Sequence, residues 1–326
     1  MNQELYQKIE NLIDPYYKKT FKELKSIKSF NIENNIVNIV VALGNKTKDT
    51  QQVKLDIARI VKIEHKYPGL KIDFLDAYIQ AEEKIIYIGV ASGKGGVGKS
   101  SVCANLALAF ARLNIEVGII DADVYGPSIP FIFGLKPLPL STTDDDKIIP
   151  AVKQKVQIVS TEFFMPENKP LLWRGPMLNQ LLTHYFKEVQ WHDKTKIILI
   201  DLPPGTGDVA LDVQEYMPQT KMLIVTTPSL SAAHVAIKAG LAAKEMGHKI
   251  LGIIENMSYF YAQDVDKYYH IFGKEGGTYV SEQLGMDLIA RIPLANTSNL
   301  LFEKDEMNGK LYLMLAQKLL EDLGVK

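Results

Sequence analysis

The chain contains one glycine-rich segment, Gly93–Ser100, between an apolar run and a helical repeat. The apolar run Ile85–Ala91 predicts a buried strand, and apolar residues recur at helical spacing from Cys103 to Arg112. A glycine-rich turn that ends in Gly-Lys-Ser and joins a strand to a helix is typical of a phosphate-binding P-loop. A chance match would not need this flanking order, so the segment predicts a nucleotide-binding site in an α/β fold.

Each residue type in this loop has a physical reason to contact phosphate. Glycines leave room for backbone N–H groups to point at the β- and γ-phosphates. We expect Lys99 to place its ammonium on these phosphates and Ser100 to ligate Mg²⁺, supported by the positive end of the following helix. The residues predicted to bind the nucleotide are Gly93, Lys94, Gly95, Gly96, Val97, Gly98, Lys99, Ser100 and Ser101.

The chain beyond Ile85 alternates apolar strands with helical stripes. Helical spacing is clear in Ala232–Met246 and Gly276–Leu284. Repeated units of this kind, with strands that are apolar on both faces, predict an α/β fold with a doubly wound, mostly parallel sheet. The further predicted strands are Val117–Ile120, Val156–Val159, Ile197–Ile200, Met222–Val225, Ile250–Ile254 and Leu288–Ile292.

Acidic side chains directly follow two of these strands, at the carboxyl ends where ligands of such sheets gather. Asp121 and Asp123 could serve a Mg²⁺ shell and orient a water molecule, although a helix cap or a solvated turn is the alternative for such a pair. Asp201 follows four apolar residues, which is the Walker B arrangement that holds Mg²⁺, usually through water. We therefore predict Ser100, Asp121 and Asp201 as the Mg²⁺ set.

Two further segments at strand ends have more than one interpretation. The loop Pro203–Gly205 could take two shapes as a γ-phosphate comes and goes, or it could be rigid. Asn256 could read an adenine edge, because an amide both donates and accepts hydrogen bonds. A turn role is the alternative for Asn256.

The first residues predict a separate small α+β domain over 1–80, followed by a P-loop domain over 85–326. Apolar periodicity lapses in the polar stretch Gln80–Lys84, which is the predicted linker. The predicted elements of the small domain are a helix along Tyr6–Ile13, a strand Ile36–Leu43, a helix Val53–Val61 and a strand Lys71–Leu75.

Composition and charge indicate the cellular compartment and exclude some classes of partner. A net charge of −1 gives no global attraction to nucleic acid or to an anionic membrane. One cysteine excludes an internal disulfide framework and fits a reducing compartment. The polar segment Met1–Glu10 lacks the apolar centre of a signal peptide, and no run approaches the ~18 apolar residues of a membrane span. The expectation is a cytoplasmic protein with neither nucleic acid nor membrane as a partner.

A second lysine, Lys94, directly follows the first glycine of the loop. This is the deviant Walker A pattern of ATPases that include cell-division positioning, plasmid-partition and arsenite-pump proteins. From Lys84 to Lys326 the chain resembles the Mrp (ApbC-like) iron–sulfur cluster carrier ATPases, and residues 1–80 more loosely resemble the small iron–sulfur-assembly domain often fused ahead of them. The segments that carry the resemblance are Gly93–Ser100, Asp121–Ser128, Trp173–Pro176, Asp201–Asp208, Glu255–Ser258, Ile271–Gly273 and Gly276–Gly277.

The resemblance implies a homodimer with Mg–ATP at the subunit face, slow ATP hydrolysis, and iron–sulfur assembly or recipient proteins as partners. Lys94 would reach the partner subunit's phosphates, like an arginine finger supplied in trans. A positioned cation helps there because negative charge builds on the transferred phosphoryl group. The implied catalytic residues are Lys94, Lys99 and Asp123, of which Asp123 would orient the attacking water. Ser100 and Asp121 would support Mg²⁺, and Asn256 would read adenine.

One departure from the family concerns the cargo. Members carry a Cys-x-x-Cys after the Asn-Met-Ser segment, and its thiolates hold a cluster bridged between subunits. Alignment on Asn256–Ser258 puts Ala262 and Val265 at those positions, and Asn45–Thr47 stands where the small domain often has a cysteine. Iron–sulfur clusters need thiolate ligands. The sequence therefore predicts an intact nucleotide site without the cluster ligands, and Cys103 is expected to be a core residue.

Two functions remain open at this stage. One is an ATPase that acts in iron–sulfur cluster carriage or assembly, and the other is a nucleotide-dependent dimerisation switch or adaptor that recruits a protein without carrying a cluster. Positioning on membrane or DNA is disfavoured. The segment Leu311–Leu323 is amphipathic, but Glu303–Lys326 carries four basic and five acidic residues, whereas a helix on anionic lipid needs a basic polar face.

Overall fold

The structure is a computed structural model that describes residues 3–33, 35–44, 46–76, 85–164, 182–205, 207–295 and 300–325. The chain divides into two units, Met1–Lys84 and Ile85–Lys326. The predicted linker Gln80–Lys84 and the motif Trp173–Pro176 lie outside the described residues, and so does Asn45.

The first unit is built on a three-stranded sheet in the order β1-β2-β3, with β2 antiparallel to β1 and parallel to β3. The sequence prediction missed β1, because its polar residues Lys28, Ser29 and Asn31 interrupt the apolar pattern of this edge strand. The elements are α1 (Gln3–Glu10), β1 (Ile27–Glu33), β2 (Ile36–Leu43), α2 (Lys46–Ala58), a π-helical stretch Arg59–Glu64 and β3 (Gly69–Asp76).

The core of the first unit lies on one face of this sheet. Alternate residues of β2, among them Val37 and Val41, are fully buried because successive side chains of a strand point to opposite faces. Leu5 and Ile9 of α1 and Ile57 of α2 complete the same apolar cluster.

The second unit contributes nine strands to one sheet within the described residues. Eight strands follow the order β11-β10-β9-β4-β8-β5-β7-β6, and β12 pairs with β10 beside that path. Its strands are β4 (Ile86–Ala91), β5 (Val117–Asp121), β6 (Ala151–Lys153), β7 (Val156–Ser160), β8 (Ile197–Asp201), β9 (Lys221–Thr226), β10 (Ile250–Ala262), β11 (Lys267–Tyr269) and β12 (Leu288–Leu294). Its helices include α3 (Lys99–Arg112), α4 (Ile129–Ile132), α5 (Asp208–Tyr216), α6 (Leu230–Glu245), α7 (Gly276–Leu284) and α8 (Met307–Leu323).

The pairing confirms the predicted fold class. Strand β4 is parallel to both β8 and β9, and β5 is parallel to both β7 and β8. Among the described strands of this sheet, antiparallel pairs join β6 to β7 and β11 to β10. From β4 the chain goes on to β5 on one side of the sheet and later to β9 on the other, so β4 lies at the switch point where such sheets bind ligands.

Helices cover both faces of this sheet, which explains why its strands are apolar at every position. In β8, Ile197 and Leu199 belong to one buried cluster, whereas Ile198 and Ile200 belong to the other. The first cluster includes Phe110 of α3, and the second includes Ala236 of α6.

The C-terminal helix α8 packs against α3 and buries Tyr312, Leu315 and Leu319. Its amphipathic pattern is thus used inside the fold, where the apolar stripe joins the core. No helix among the described residues combines the length and apolarity that a membrane crossing requires.

Candidate functional site

The P-loop has the backbone geometry that its glycines allow. Gly96 and Gly98 both lie in the left-handed region, with φ of +82° and +80°, which L residues with side chains rarely adopt. Gly98 is the N-cap of α3, so the loop runs directly into the positive end of that helix. A Cβ on Gly93 would lie 2.1 Å from the carbonyl oxygen of Val235, so this glycine permits the close approach of α6.

Lys99 is the centre of a charged cluster at the carboxyl edge of the sheet. Its side chain is 6% exposed, and its Nζ lies 2.6 Å from Asp201 Oδ1 and 3.6 Å from Asp123 Oδ2. Burial alone would lower the pKa of Lys99, but the adjacent carboxylates of Asp201 and Asp123 outweigh burial and raise it. Lys99 therefore stays an ammonium group under any physiological condition. Ser100 Oγ lies 3.5 Å from the same Nζ.

The register of the sheet creates this cluster. Asp121 is paired with Asp201 across β5 and β8, and Val90, at the end of the P-loop strand, is also paired with Asp201. Parallel strands that end at one level place their last side chains together. The structure therefore brings together Lys99, Asp121 and Asp201, which are far apart in sequence.

Asp201 retains one unused acceptor. Its side chain is fully buried, and Oδ2 has no hydrogen-bond partner among the described residues, whereas Oδ1 accepts from Lys99. A buried carboxylate oxygen without a donor carries a desolvation cost. Such an oxygen fits the outer shell of a hydrated Mg²⁺ ion, the role predicted for Asp201.

Asp123 lies between the cluster and the outside. Its side chain is 15% exposed, so it can meet both a solvent molecule and the Lys99 ammonium. Burial raises the pKa of Asp123, the Lys99 charge opposes that shift, and the Asp201 charge adds to it. A carboxylate with a raised pKa is a better proton acceptor than an ordinary one.

Asp121 is held by the protein more completely than the sequence suggested. Its Oδ2 accepts hydrogen bonds from Ser128 N (3.1 Å), Ile129 N (3.2 Å) and Ser160 Oγ (3.0 Å), and Asp123 N donates to Oδ1 (3.3 Å). Full burial and the Asp201 charge nevertheless raise its pKa. These bonds fix the loop that carries Asp123, a positioning role beside the predicted support of Mg²⁺.

The donor set at this edge fits Mg²⁺. Asp123 and Asp201 lie there with one ammonium group, Lys99, and with Asp121 beside them, so a divalent cation would offset the excess of carboxylate groups. No group of three or more histidine, cysteine, aspartate or glutamate side chains in the described ranges is arranged to hold a metal ion by itself. Mg²⁺ does not need one, because it usually binds one or two protein groups, several waters and the substrate phosphates.

Lys94 and the loop after β8 lie on the outer side of the P-loop. Lys94 is exposed, and its carbonyl oxygen accepts from Ser92 Oγ at 3.1 Å. The backbone N of Gly205 donates to the carbonyl oxygen of Ser92 at 2.8 Å, which ties Pro203–Gly205 to the P-loop. That Pro203–Gly205 changes conformation with the γ-phosphate stays a prediction, and so does the action of Lys94 on a second subunit.

Ser101, which was also predicted to bind the nucleotide, is half-buried in the first turn of α3.

Asn256 contacts the P-loop backbone directly. Its Nδ2 donates to the carbonyl oxygen of Val97 at 2.9 Å, and a Cβ on Gly98 would lie 2.2 Å from this nitrogen. Asn256 is therefore a brace between β10 and the P-loop, and its adenine contact remains a prediction.

Glu255 is a residue whose role the sequence analysis did not identify, although an acid at a strand end is the signal. It is buried and accepts hydrogen bonds from Gly277 N (2.6 Å) and Ser258 Oγ (2.5 Å), with Arg291 Nε at 3.5 Å. A carboxylate at this position stabilises the N-terminal end of α7. Position 277 requires glycine, because a Cβ added there would lie 2.8 Å from Glu255 Cβ.

The segment aligned with the family's Cys-x-x-Cys forms a hairpin. Strand β10 continues to Ala262, which pairs with Lys267 of β11, and Val265 lies in the turn with 58% of its surface exposed. The prediction ended this strand at Ile254, so the observed strand is longer by Glu255–Ala262, which includes the aromatic stretch Tyr259–Tyr261. Cys103 is fully buried in α3, which confirms it as a core residue, and burial raises the pKa of its thiol well above the ordinary value.

Comparison with known proteins agrees with this geometry. The sequence matches the family described as ParA, NUBPL iron-transfer P-loop NTPase, over residues 83–318. It is 37% identical over 328 residues to the iron-sulfur cluster carrier protein of Bacillus subtilis (strain 168), covering 95% of this chain and 92% of that protein. It is also 37% identical over 266 residues to the iron-sulfur cluster carrier protein of Saccharolobus solfataricus, covering 77% of this chain and 89% of that protein.

Two solved structures of similar fold contain ADP. A nucleotide-binding protein in complex with ADP from Archaeoglobus fulgidus is 31% identical, with a TM-score of 0.55 over 71% of this chain and 86% of that chain. The septum site-determining protein MinD with Mg-ADP from Pyrococcus horikoshii is 20% identical, with a TM-score of 0.54 over 74% of this chain and 98% of that chain. At 20% identity, the similarity to MinD is one of fold alone.

Proposed function

The chain belongs to the ParA family of NUBPL-type iron-transfer P-loop NTPases, and from this premise we propose that it binds Mg–ATP and hydrolyses it as a homodimer. The observation that carries the proposal is the position of Lys99, whose buried ammonium lies between Asp201 and Asp123 at the base of the P-loop. Phosphoryl transfer depends chiefly on positioning and on stabilising charge, and this cluster supplies both.

Lys99 and Asp201 prepare the site for phosphate. The Lys99 ammonium lies 2.6 Å from the Asp201 carboxylate, so the phosphate oxygens of a nucleotide would compete with Asp201 for it. Asp201 and Ser100, with Asp121 behind them, are then the residues that would hold Mg²⁺. When bound, Mg²⁺ would neutralise charge on the β- and γ-phosphates.

Asp123 is the residue that orients the attacking water. It reaches solvent, lies 3.6 Å from the Lys99 ammonium, and has a pKa raised by burial. Its backbone is fixed through the Asp121 carboxylate, so its side chain starts from a defined position. Removing a group with this role costs roughly 10²–10⁴-fold in turnover.

Lys94 acts from the partner subunit in this proposal. Lys94 is exposed in the P-loop, and its side chain makes no hydrogen bond or ion pair with the described residues, so it is free to extend toward a second subunit. A cation placed on the transferred phosphoryl group from a second chain stabilises the charge that develops there.

The test is complementation between two inactive variants. Lys94→Ala retains Asp123, and Asp123→Asn retains Lys94, so a mixed dimer contains one complete site if Lys94 acts in trans. Random mixing in equal amounts gives about half mixed dimers, so phosphate release recovers to about a quarter of the wild-type rate. Lys153→Ala, which removes an exposed lysine on β6, serves as the control and keeps full activity.

Three outcomes would contradict parts of this proposal. No recovery on mixing, with both variants folded and dimeric, would place Lys94 in its own subunit's site. Full activity of Asp123→Asn would remove Asp123 from the reaction. Absence of ATP-dependent phosphate release in the wild type would leave nucleotide binding alone.

We further propose that the chain acts in iron–sulfur protein maturation without holding a cluster on its own thiolates. Its family and its relatives support the pathway, whereas its residues do not fit the cargo. The sequence has one cysteine, and Cys103 is fully buried beside the P-loop core. A bridging cluster needs accessible thiolates, and neither Ala262 nor Val265 offers one.

The missing thiolates favour a second candidate, a nucleotide-dependent switch that recruits a protein partner. In that case ATP drives dimerisation or partner capture even when Asp123→Asn abolishes turnover. Light scattering of this variant with and without Mg–ATP checks the idea, and an unchanged mass would count against it.

A further inference from the structure

Lys94 lies in a stretch of backbone that its neighbours leave unrestrained. Gly93 precedes it, and Gly95 and Gly96 follow it. Glycine adopts many backbone conformations, so local sterics do not fix the direction in which the Lys94 side chain leaves the loop. The side chain is exposed, and its stem is flexible. A defined starting point for Lys94 must therefore come from contacts to its backbone.

Ser92 makes such a contact. Its Oγ donates a hydrogen bond to the carbonyl oxygen of Lys94 at 3.1 Å, and the residue is fully buried. A buried hydroxyl has no water to replace a lost acceptor, so breaking this bond costs free energy. The bond therefore holds the Lys94 backbone while the exposed side chain stays free to extend.

The backbone of Ser92 is anchored in turn. Its carbonyl oxygen accepts a hydrogen bond from Gly205 N at 2.8 Å. Pro203 and Pro204 have no backbone N–H, so Gly205 provides the donor by which their loop is tied to the P-loop strand. Ser92 thus joins two loops of the phosphate edge, through its carbonyl oxygen to one and through its hydroxyl to the other.

The side chain of Ser92 does not act on the buried charges directly. Among the described residues, its hydroxyl has no hydrogen bond to Lys99, Asp123 or Asp201, and its one described acceptor is the Lys94 carbonyl oxygen. An effect of this hydroxyl on turnover is therefore expected to pass through Lys94.

We propose that Ser92 is a positioning residue for Lys94 and holds its backbone so that the ammonium reaches the partner subunit's phosphates in one geometry. This inference rests on the proposed action of Lys94 on a second subunit. A displacement of about 1 Å at a reacting group can cost on the order of 10²-fold in rate, so a bond behind the lysine affects turnover without touching the substrate. Ser92 then serves the site of the other chain rather than its own.

Mixed dimers in which one chain carries the Ser92 substitution test this inference. The Asp123→Asn chain donates Lys94, and the Lys94→Ala chain provides the site with an intact Asp123. Each chain has its own affinity tag, so the mixed dimer is purified away from both homodimers. Ser92→Ala is placed first in the donating chain and then in the other chain. The matched control is Ser281→Ala, which also removes a serine hydroxyl that donates to a backbone carbonyl, that of Met286.

We expect phosphate release to fall about fivefold when Ser92→Ala is in the chain that donates the lysine, the rate equivalent of about one hydrogen bond. The KM for ATP should stay within about twofold, because the P-loop that binds this ATP retains its own Ser92. Ser92→Cys, which keeps a weak donor of similar size, should recover part of the loss. Ser92→Ala in the other chain, and Ser281→Ala in either chain, should leave the rate within about twofold.

The two placements of Ser92→Ala separate this inference from the proposal beneath it. Equal rates for both placements would overturn the inference, and so would a loss that follows the Lys94→Ala chain, since Ser92 would then shape its own subunit's phosphate site. A mixed dimer that is inactive with Ser92 intact would overturn the action of Lys94 on a second subunit, and this inference with it.

Discussion

Two regions at the carboxyl side of one sheet have opposite constructions: the phosphate edge, where Lys99, Asp121, Asp123 and Asp201 cluster beside the central strands, and the β10–β11 hairpin. At the phosphate edge, Lys99 and Asp201 are buried, and their positions follow from the register of parallel strands. At the hairpin, Ala262 and Val265 lie on a short antiparallel extension, and Val265 is largely exposed.

The difference shows which parts of a chain can change without cost to the fold. Replacing one charge at the phosphate edge leaves another buried and unpaired, so folding itself constrains those residues. Replacing an exposed side chain at the hairpin disturbs almost no packing. Ligands placed at such a tip can be absent while the nucleotide site keeps its form.

The largest expected effect comes from breaking the buried pair. Lys99→Ala leaves Asp201 without its 2.6 Å partner, so we expect a loss of about 3–5 kcal/mol in the free energy of unfolding and loss of nucleotide binding. Urea denaturation measures the first and nucleotide titration the second. Lys94→Ala, in the same loop but exposed, should change stability by no more than about 0.5 kcal/mol. Equal losses of stability in Lys99→Ala and Lys94→Ala would contradict the role of Lys99 as a buried, paired charge.

Two glycine substitutions in the P-loop should have smaller effects on stability, and comparing them separates the cost of backbone strain from that of steric crowding. Gly98→Ala places a Cβ 2.2 Å from Asn256 Nδ2 at a φ of +80°, whereas Gly96→Ala meets nothing within 4 Å at a φ of +82°. Backbone strain alone costs about 1–2 kcal/mol, so Gly96→Ala should lose that amount and Gly98→Ala more. Thermal or urea unfolding of the pair checks the order. A Gly98→Ala protein as stable as Gly96→Ala would mean that Asn256 does not brace the loop.

The pH dependence of stability gives a third, smaller contrast. Burial raises the pKa of Asp121 above the ordinary value of about 4, so the folded state keeps a proton that the unfolded chain releases. Its contribution to stability is complete below about pH 4 and falls as the pH rises toward the folded pKa. Without Mg²⁺ and nucleotide, Asp121→Asn should therefore flatten the decline between pH 5 and 8 by about 1 kcal/mol or more. Parallel curves for wild type and variant, measured in a chelator, would refute the raised pKa.

The smallest effect is expected at the hairpin. Val265→Ser changes an exposed turn residue, so the free energy of unfolding should stay within about 0.5 kcal/mol of wild type, and ATP turnover within about twofold. A loss above 1 kcal/mol would show that the tip contributes to folding after all.

The sequence predicted that Lys99, Asp121 and Asp201 lie at one edge of the sheet, because each signal there is local, while their roles toward nucleotide and Mg²⁺ stay predictions. Gly93–Ser100 has its strand and helix beside it, and Asp201 follows its own apolar strand. The parallel order of the strands then brings the acids together without knowledge of packing. What the sequence did not predict are the bonds of Asp121 to Ser128, Ile129 and Ser160, since these depend on loops that return to the strand end.

The hairpin and β1 were missed for a different reason. Strand β10 passes a residue with positive φ, Met257, and shifts register before it pairs with β11, so no regular alternation marks it. The tyrosine pairs across β10 and β11 were present in sequence as Tyr259–Tyr261 and Lys267–Tyr269, but cross-strand packing is visible only in three dimensions. Strand β1 is a polar edge whose pairing depends on β2.

The most direct test of this contrast measures the phosphate edge and the hairpin in one sample. Wild-type protein and the Ala262→Cys, Val265→Cys double variant are incubated anaerobically with iron and sulfide, and bound iron, sulfur-to-iron absorption and ATP turnover are recorded. We expect both proteins to hydrolyse ATP, while only the double variant gains iron and the absorption band. A wild-type protein that binds a stoichiometric cluster and keeps it through gel filtration would contradict the account.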